Sequence, residues 1–141
     1  LLFCFQMILI LIGAELETAI NKQVQAEQQA ALEYLNLAIT LLHPGVSRLG
    51  AGGFFMRMYH EELEHMENVI NYQVLRGGTP IIDGLRAPTP KPRIALIDAF
   101  KQALNIEHCV TEVKVKQISL ILAYGKGLKK AKNVEGKKDF Q

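Results

Sequence analysis

Cysteine is nearly absent from this 141-residue chain, with Cys4 and Cys109 the only two. Two thiols cannot build a disulfide framework or a cysteine-rich zinc site. Charge of one sign is also scarce in sum. The formal net charge of +2 is too small to mark a nucleic-acid binder. The distribution is uneven, with Lys126, Lys129, Lys130, Lys132, Lys137 and Lys138 crowded at one end and acids gathered from Glu61 to Glu67. A lysine-rich end of this kind reads as solvated surface. Alternating apolar and polar residues are missing over any useful length, and Pro80-Ile81-Ile82 is too short to be a strand.

No apolar run reaches the roughly 20 residues needed to span a bilayer. The first thirteen residues, Leu1 to Gly13, come nearest. Their length suits the apolar region of a secretory signal, with Gly13 and Ala14 as small residues near a cleavage point. A basic stretch before them and an initial Met are both lacking. Two readings fit: a truncated signal peptide, or an apolar arm packed on a partner. Residues 14–141 are then one domain's worth of chain. Hydrophobic residues make up 49% of the sequence, enough for a core, against 21% charged.

Three long helices can be placed. The first runs from Ala14 to about Leu42 and ends at His43-Pro44-Gly45, because the residue before proline is pushed out of helix. The second starts between Arg48 and Phe54, blurred by Gly50-Ala51-Gly52-Gly53, and runs to Arg76, where Gly77-Gly78 offers a stop. The third is expected from Ile94 to about Tyr124, with Gly125-Lys126-Gly127 breaking it. Between the last two lies a proline-rich connection from Gly77 to Arg93. A second helix of about 29 residues is about 43 Å long. Seventeen extended residues reach roughly 56 Å, so the connection can return along the whole bundle. The short first turn makes helices one and two antiparallel, and the long return makes helix three parallel to helix two.

The apolar stripes carry the chemistry. At helical spacing they read Ile20, Val24, Glu27, Ala31, Tyr34, Ala38, Leu41; then Phe55, Met58, Glu62, His65, Val69, Tyr72; then Ile97, Phe100, Leu104, Glu107, Thr111, Lys114, Ile118, Ile121. Ionisable residues interrupt each stripe at mid-length. Glu62 and His65, spaced E-x-x-H, share one helix face and can close on one metal ion. Glu27 lies 18 residues before Gly45 and Glu62 lies 17 after it, which sets them level in an antiparallel pair. Glu107, 13 residues into the third helix as read, falls in the same layer. A buried lone carboxylate is costly unless paired or metal-bound. Carboxylates with one imidazole suit iron, with manganese or zinc as competitors. Tyr34, two turns from Glu27, is placed to hydrogen-bond a ligand or donate an electron. The competing reading is an internal Glu/His salt-bridge network in a non-catalytic helical interaction module. Met56, Met58 and Met66 read as core filling.

Ala19-Ile20-Asn21-Lys22-Gln23, Glu27 with Tyr34-Leu35, His60-Glu61-Glu62-Leu63-Glu64-His65, Leu75-Arg76-Gly77-Gly78, and Ala103-Leu104 followed by Glu107 resemble the ferritin heavy-chain pattern in order and spacing. The resemblance covers roughly Glu15 to Lys116, with a faint echo at Lys138-Asp139-Phe140. It implies an all-α, ferritin-like antiparallel bundle with a long crossover, the fourth helix largely missing beyond Gln141. It also implies iron storage in a 24-subunit cage, homo- or hetero-oligomeric, by oxidation of ferrous iron with dioxygen at two irons per subunit. Carried over by position, Glu27, Glu62 and His65 hold one iron and Glu62 with Glu107 the second. Glu61 is a transit ligand, and Tyr34 joins Glu62 and His65 as a catalytic residue. Glu61, Glu64 and Glu67 match the acidic patch that nucleates mineral. A subunit that nucleates mineral without oxidising iron is the alternative within the family, and Lys114 points to it as a cation able to compete with iron. The leader suits a secreted or yolk-type form, with a cytoplasmic form as the alternative; neither membrane nor nucleic acid is expected as a partner.

Overall fold

The computed structural model describes residues 13–138, with side chains described for 13–123. The apolar leader at residues 1–12 and the Lys138-Asp139-Phe140 echo from residue 139 onward lie outside the described residues. Three helices make up the fold, α1 (Ala14–Leu42), α2 (Leu49–Leu75) and α3 (Leu96–Lys138), and no strand occurs among the described residues. None of the described helices is long and apolar enough to cross a membrane.

α1 is the central element, and both other helices pack on it. Its whole expected stripe is buried, from Ile20 through Val24, Glu27, Ala31, Tyr34 and Ala38 to Leu41. Leu37 and Ala30 widen that face, so one helix serves two neighbours. The turn after it is closed by backbone bonds. Arg48 N–H donates to the Leu41 carbonyl at 2.9 Å, and Ser47 takes up the left-handed conformation with φ 52°.

α2 begins at Leu49, so the glycine run lies inside the helix. One of those glycines has a packing reason. A Cβ on Gly52 would lie 2.6 Å from Leu42 Cγ and 3.2 Å from the Leu42 backbone nitrogen, whereas one on Gly53 would meet nothing within 4 Å. The helices cross where only a hydrogen fits. Gly53→Ala is therefore expected to raise stability by up to about 1 kcal/mol through helix propensity. Gly52→Val is expected to lower it by about 1–3 kcal/mol through overpacking. Urea midpoints for the two variants should move in opposite directions; shifts of the same sign would remove the close crossing as the reason for Gly52.

The connection after α2 runs beside α1 in the same direction, which accounts for the amide-rich character of that helix. Asn21 Oδ1 accepts from Ile81 N–H at 2.9 Å, Gln29 exchanges two 2.9 Å bonds with the backbone of Arg86, and Asn36 Nδ2 donates to Thr89 O at 3.4 Å. Gln73, fully buried, donates to Asn21 Oδ1 and to Thr79 O, each at 3.1 Å. The chain thus returns to the far end of α1, and α3 runs antiparallel to α1 and parallel to α2, as the loop length allows.

α3 departs from expectation twice. It continues through Gly125 and Gly127 to Lys138 rather than breaking there. Each glycine costs only about 1 kcal/mol in a helix interior, and Leu128, Lys129, Lys130, Ala131 and Lys132 are good helix formers that carry the helix on. Its buried face is also narrower than read. Ala99, Ala103 and Val110 turn toward α1, while Ile97 and Leu104 stand 64% and 70% exposed. Small residues let the backbones of α1 and α3 approach, and the large apolar residues occupy the adjoining face.

Candidate metal centre

Glu27 sits midway along α1, fully buried, and Glu62 midway along α2 at 3% exposure. The two are level, as their distances from the hairpin turn demand. His65, one turn beyond Glu62, brings its Nδ1 to 3.4 Å from Glu62 Oε2 and 3.9 Å from Glu27 Oε2. Ligand atoms of Glu27, Glu62 and His65 all lie within 4.8 Å of one another.

The two oxygens of Glu27 are treated differently. Oε1 accepts a hydrogen bond from Gln23 Nε2 and pairs with Lys114 Nζ at 3.1 Å. Oε2 is buried with no hydrogen-bond partner and faces Glu62 and His65. An orphaned carboxylate oxygen is costly; beside a second carboxylate and an imidazole, it is a donor that a cation would satisfy. Half of the His65 side chain is exposed, which gives the centre an opening to solvent.

Glu107 is held apart from this group. Tyr34, 1% exposed, donates its hydroxyl to Glu107 Oε1 at 2.5 Å. That bond ties α1 to α3 two turns from Glu27. Glu107 still acts on the centre through its charge. Glu62 is pushed up to about 8, first by burial, then by the closeness of the Glu27 carboxylate and the charge of Glu107, with Lys114 pulling the other way. Burial, the bond to Glu107 and the charges of Glu107, Glu62 and Glu61 all push the Tyr34 phenol well above its ordinary range.

Glu61, Glu64 and Glu67 are exposed on α2 and do not join the buried group. Gln23 is the contributor the stripe pattern did not assign, whereas Lys114, in the α3 stripe, pairs with Glu27. Gln23 is a neutral amide in a polar tract with nothing to distinguish it from surface. The register explains which acid Lys114 meets, since Glu27 and Tyr34 are seven residues apart on α1, as are Glu107 and Lys114 on α3.

The chain is similar in sequence to known proteins. A family model described as "Ferritin-like domain" matches residues 17–121. Over 100 residues the chain is 37% identical to the ferritin-2 heavy chain of Schistosoma mansoni, covering 71% of this chain and 58% of that protein. It is 30% identical to the soma ferritin of Lymnaea stagnalis, covering 70% and 57% respectively. It is 33% identical to the ferritin heavy chain of Papilio xuthus, covering 74% and 50%. The chain thus spans between half and three fifths of the length of these relatives. The family match covers α1 except its first three residues, the whole of α2, and the part of α3 that carries Glu107 and Lys114, and on this ground the chain belongs to the ferritin-like domain family.

Proposed function

We propose that this chain is an iron-storage subunit that oxidises ferrous iron with dioxygen and passes the ferric product to a mineral held inside a multisubunit cage. The observation that carries the reading is the convergence of Glu27, Glu62 and His65 at mid-bundle, with the Glu27 Oε2 atom buried and unpartnered. Ferrous iron is the substrate here. Glu27, Glu62 and His65 hold one ion, and Glu62 with Glu107 the second; oxygen donors with one imidazole fit such a cation. Each ion gives up one electron, with dioxygen as acceptor. Tyr34 orients Glu107 through its hydroxyl and supports the oxidation. Glu61 hands ions toward the centre, and the exposed acids Glu61, Glu64 and Glu67 offer oxygens on which ferric mineral can start. Assembly is with copies of itself or other ferritin subunits, in a 24-subunit cage. Residues 14–141 form the iron-handling domain; the leader at 1–13 is a signal that directs it to the secretory pathway, with a cytoplasmic form as the alternative.

The Lys114–Glu27 pair favours a second reading, in which the subunit nucleates mineral without oxidising iron. Aerobic addition of ferrous iron to the purified chain separates the two. The first reading expects ferric absorbance to rise several-fold faster than in protein-free buffer, saturating at two irons per chain. A rate equal to buffer, with iron still taken up by particles of cage size in light scattering, would leave the nucleating subunit standing.

A further inference from the structure

At the level of Glu27, the residue that α3 presents to α1 is a lysine. The antiparallel register that joins Tyr34 to Glu107 at 2.5 Å repeats seven residues along each helix and joins Glu27 to Lys114 at 3.1 Å. Glu27 is fully buried, while the Lys114 side chain is 41% exposed. The acid is therefore fixed in the core and its cation is seated at the edge, with a path to water that does not cross the bundle. Lys114 and Gln23 share one oxygen of Glu27, and the other oxygen is left for Glu62 and His65 to face.

We propose that Lys114 is a resident counter-cation of this centre, which a divalent metal ion must drive off or bind against when it engages Glu27. The inference rests on reading Glu27, Glu62 and His65 as metal ligands. Two cations on one carboxylate repel strongly where water is scarce. A dication on Glu27 Oε2 is therefore weakened by the ammonium on Oε1, until the flexible lysine stem swings its head into solvent. Lys114 in this way keeps the metal-free bundle from carrying an uncompensated buried charge, which is strongly destabilising, and sets how much free metal is needed to load the site. Its effect is on affinity and on the coupling between metal and fold.

The test uses the full chain, freed of metal by chelation and titrated calorimetrically with cobalt(II), whose visible absorption also reports coordination. Lys114→Gln removes the charge and keeps a hydrogen-bond donor; Lys114→Met removes both; Lys114→Arg keeps the charge. Cobalt is expected to bind the Gln and Met variants about 10- to 100-fold more tightly than the parent, and the Arg variant with the parent's affinity. The rise in melting temperature on adding cobalt should also be larger in Lys114→Met than in the parent, since only the metal-free form loses the ion pair. A purely structural lysine would lower both melting temperatures alike. Unchanged or weaker binding in the Gln and Met variants would overturn the proposal and make Lys114 a support for Glu27. Failure of cobalt to bind the parent and all variants would overturn the metal centre itself along with it.

Discussion

Glu62→Gln is expected to weaken divalent-metal binding about 100-fold or more and, in the same protein without metal, to increase stability at pH 8. The two effects share one cause. Glu62 is almost fully buried on α2 beside Glu27, with Glu107 close enough for its charge to be felt. A metal ion converts that crowding into a favourable site; without metal it is a cost. An amide keeps the shape and much of the hydrogen bonding but offers only a neutral oxygen, so the loss in metal affinity should exceed the 10- to 100-fold typical of outer-shell partners. The stability effect has a defined sign with pH. Glu62 is raised from an ordinary 4.5 to about 8, so between those values the folded chain holds a proton that the unfolded chain has released. Stability must fall as pH rises through that window. A shift of this size corresponds to a few kcal/mol at most, about 2–4 kcal/mol at pH 8. Urea unfolding with chelator at pH 5.5 and pH 8 measures it: the parent should lose stability between the two, and Glu62→Gln should lose less. Equal losses in the two proteins would mean that Glu62 bears no buried charge. A variant that binds cobalt as the parent does would remove Glu62 from the ligand set.

Where the sequence could be read and where it could not follows from which neighbours each helix has. α1 is enclosed on a broad face, so every residue of its stripe is buried and Glu27 stands out as an ionisable group among apolar ones. Glu62 and His65 were legible from their E-x-x-H spacing within an apolar stripe, although only Glu62 of the pair is buried, and the hairpin turn fixed their level against Glu27. α3 was harder. Its sequence carries two adjoining apolar faces, one small (Ala99, Ala103, Val110) and one large (Ile97, Phe100, Leu104). Helical spacing alone ranks the large residues as core, yet close approach to α1 selects the small ones. The same shift in face moves Glu107 to Tyr34 and brings Lys114 to Glu27. The glycines of α2 were ambiguous because propensity does not know that Leu42 lies 2.6 Å from where a side chain would start. The amides of α1 gave no sign of their use, since their partners are backbone groups of a connection almost sixty residues away.

Phe55→Ala is expected to cost about 3–5 kcal/mol of folding stability, the range for emptying a buried aromatic site. Phe55 is fully buried at the point where all three helices meet. Its ring lies 6.1 Å from that of Tyr34 and nearly parallel to it. It also lies 5.2 Å from Phe54, edge-on, and 5.2 Å from Phe100. Such pairs add about 0.5–1.5 kcal/mol each beyond the area they bury, so the loss belongs near the top of the range. For a domain stable by 5–15 kcal/mol this is a large fraction. The chain has no tryptophan and four tyrosines, so tyrosine emission with urea can follow unfolding without an added probe. The substitution should also reach the candidate metal centre. Tyr34 leans on Phe55 on one side and donates to Glu107 on the other, so removing the ring frees the phenol to tilt away from its acceptor. Phe55→Leu refills most of the volume and should recover more than half of the lost stability, while leaving the Tyr34 ring without its stacking partner. If Phe55→Ala cost less than about 1 kcal/mol, the junction of the three helices would not be where the stability of this bundle resides, and the placement of Tyr34 and Glu107 would have to depend on other contacts.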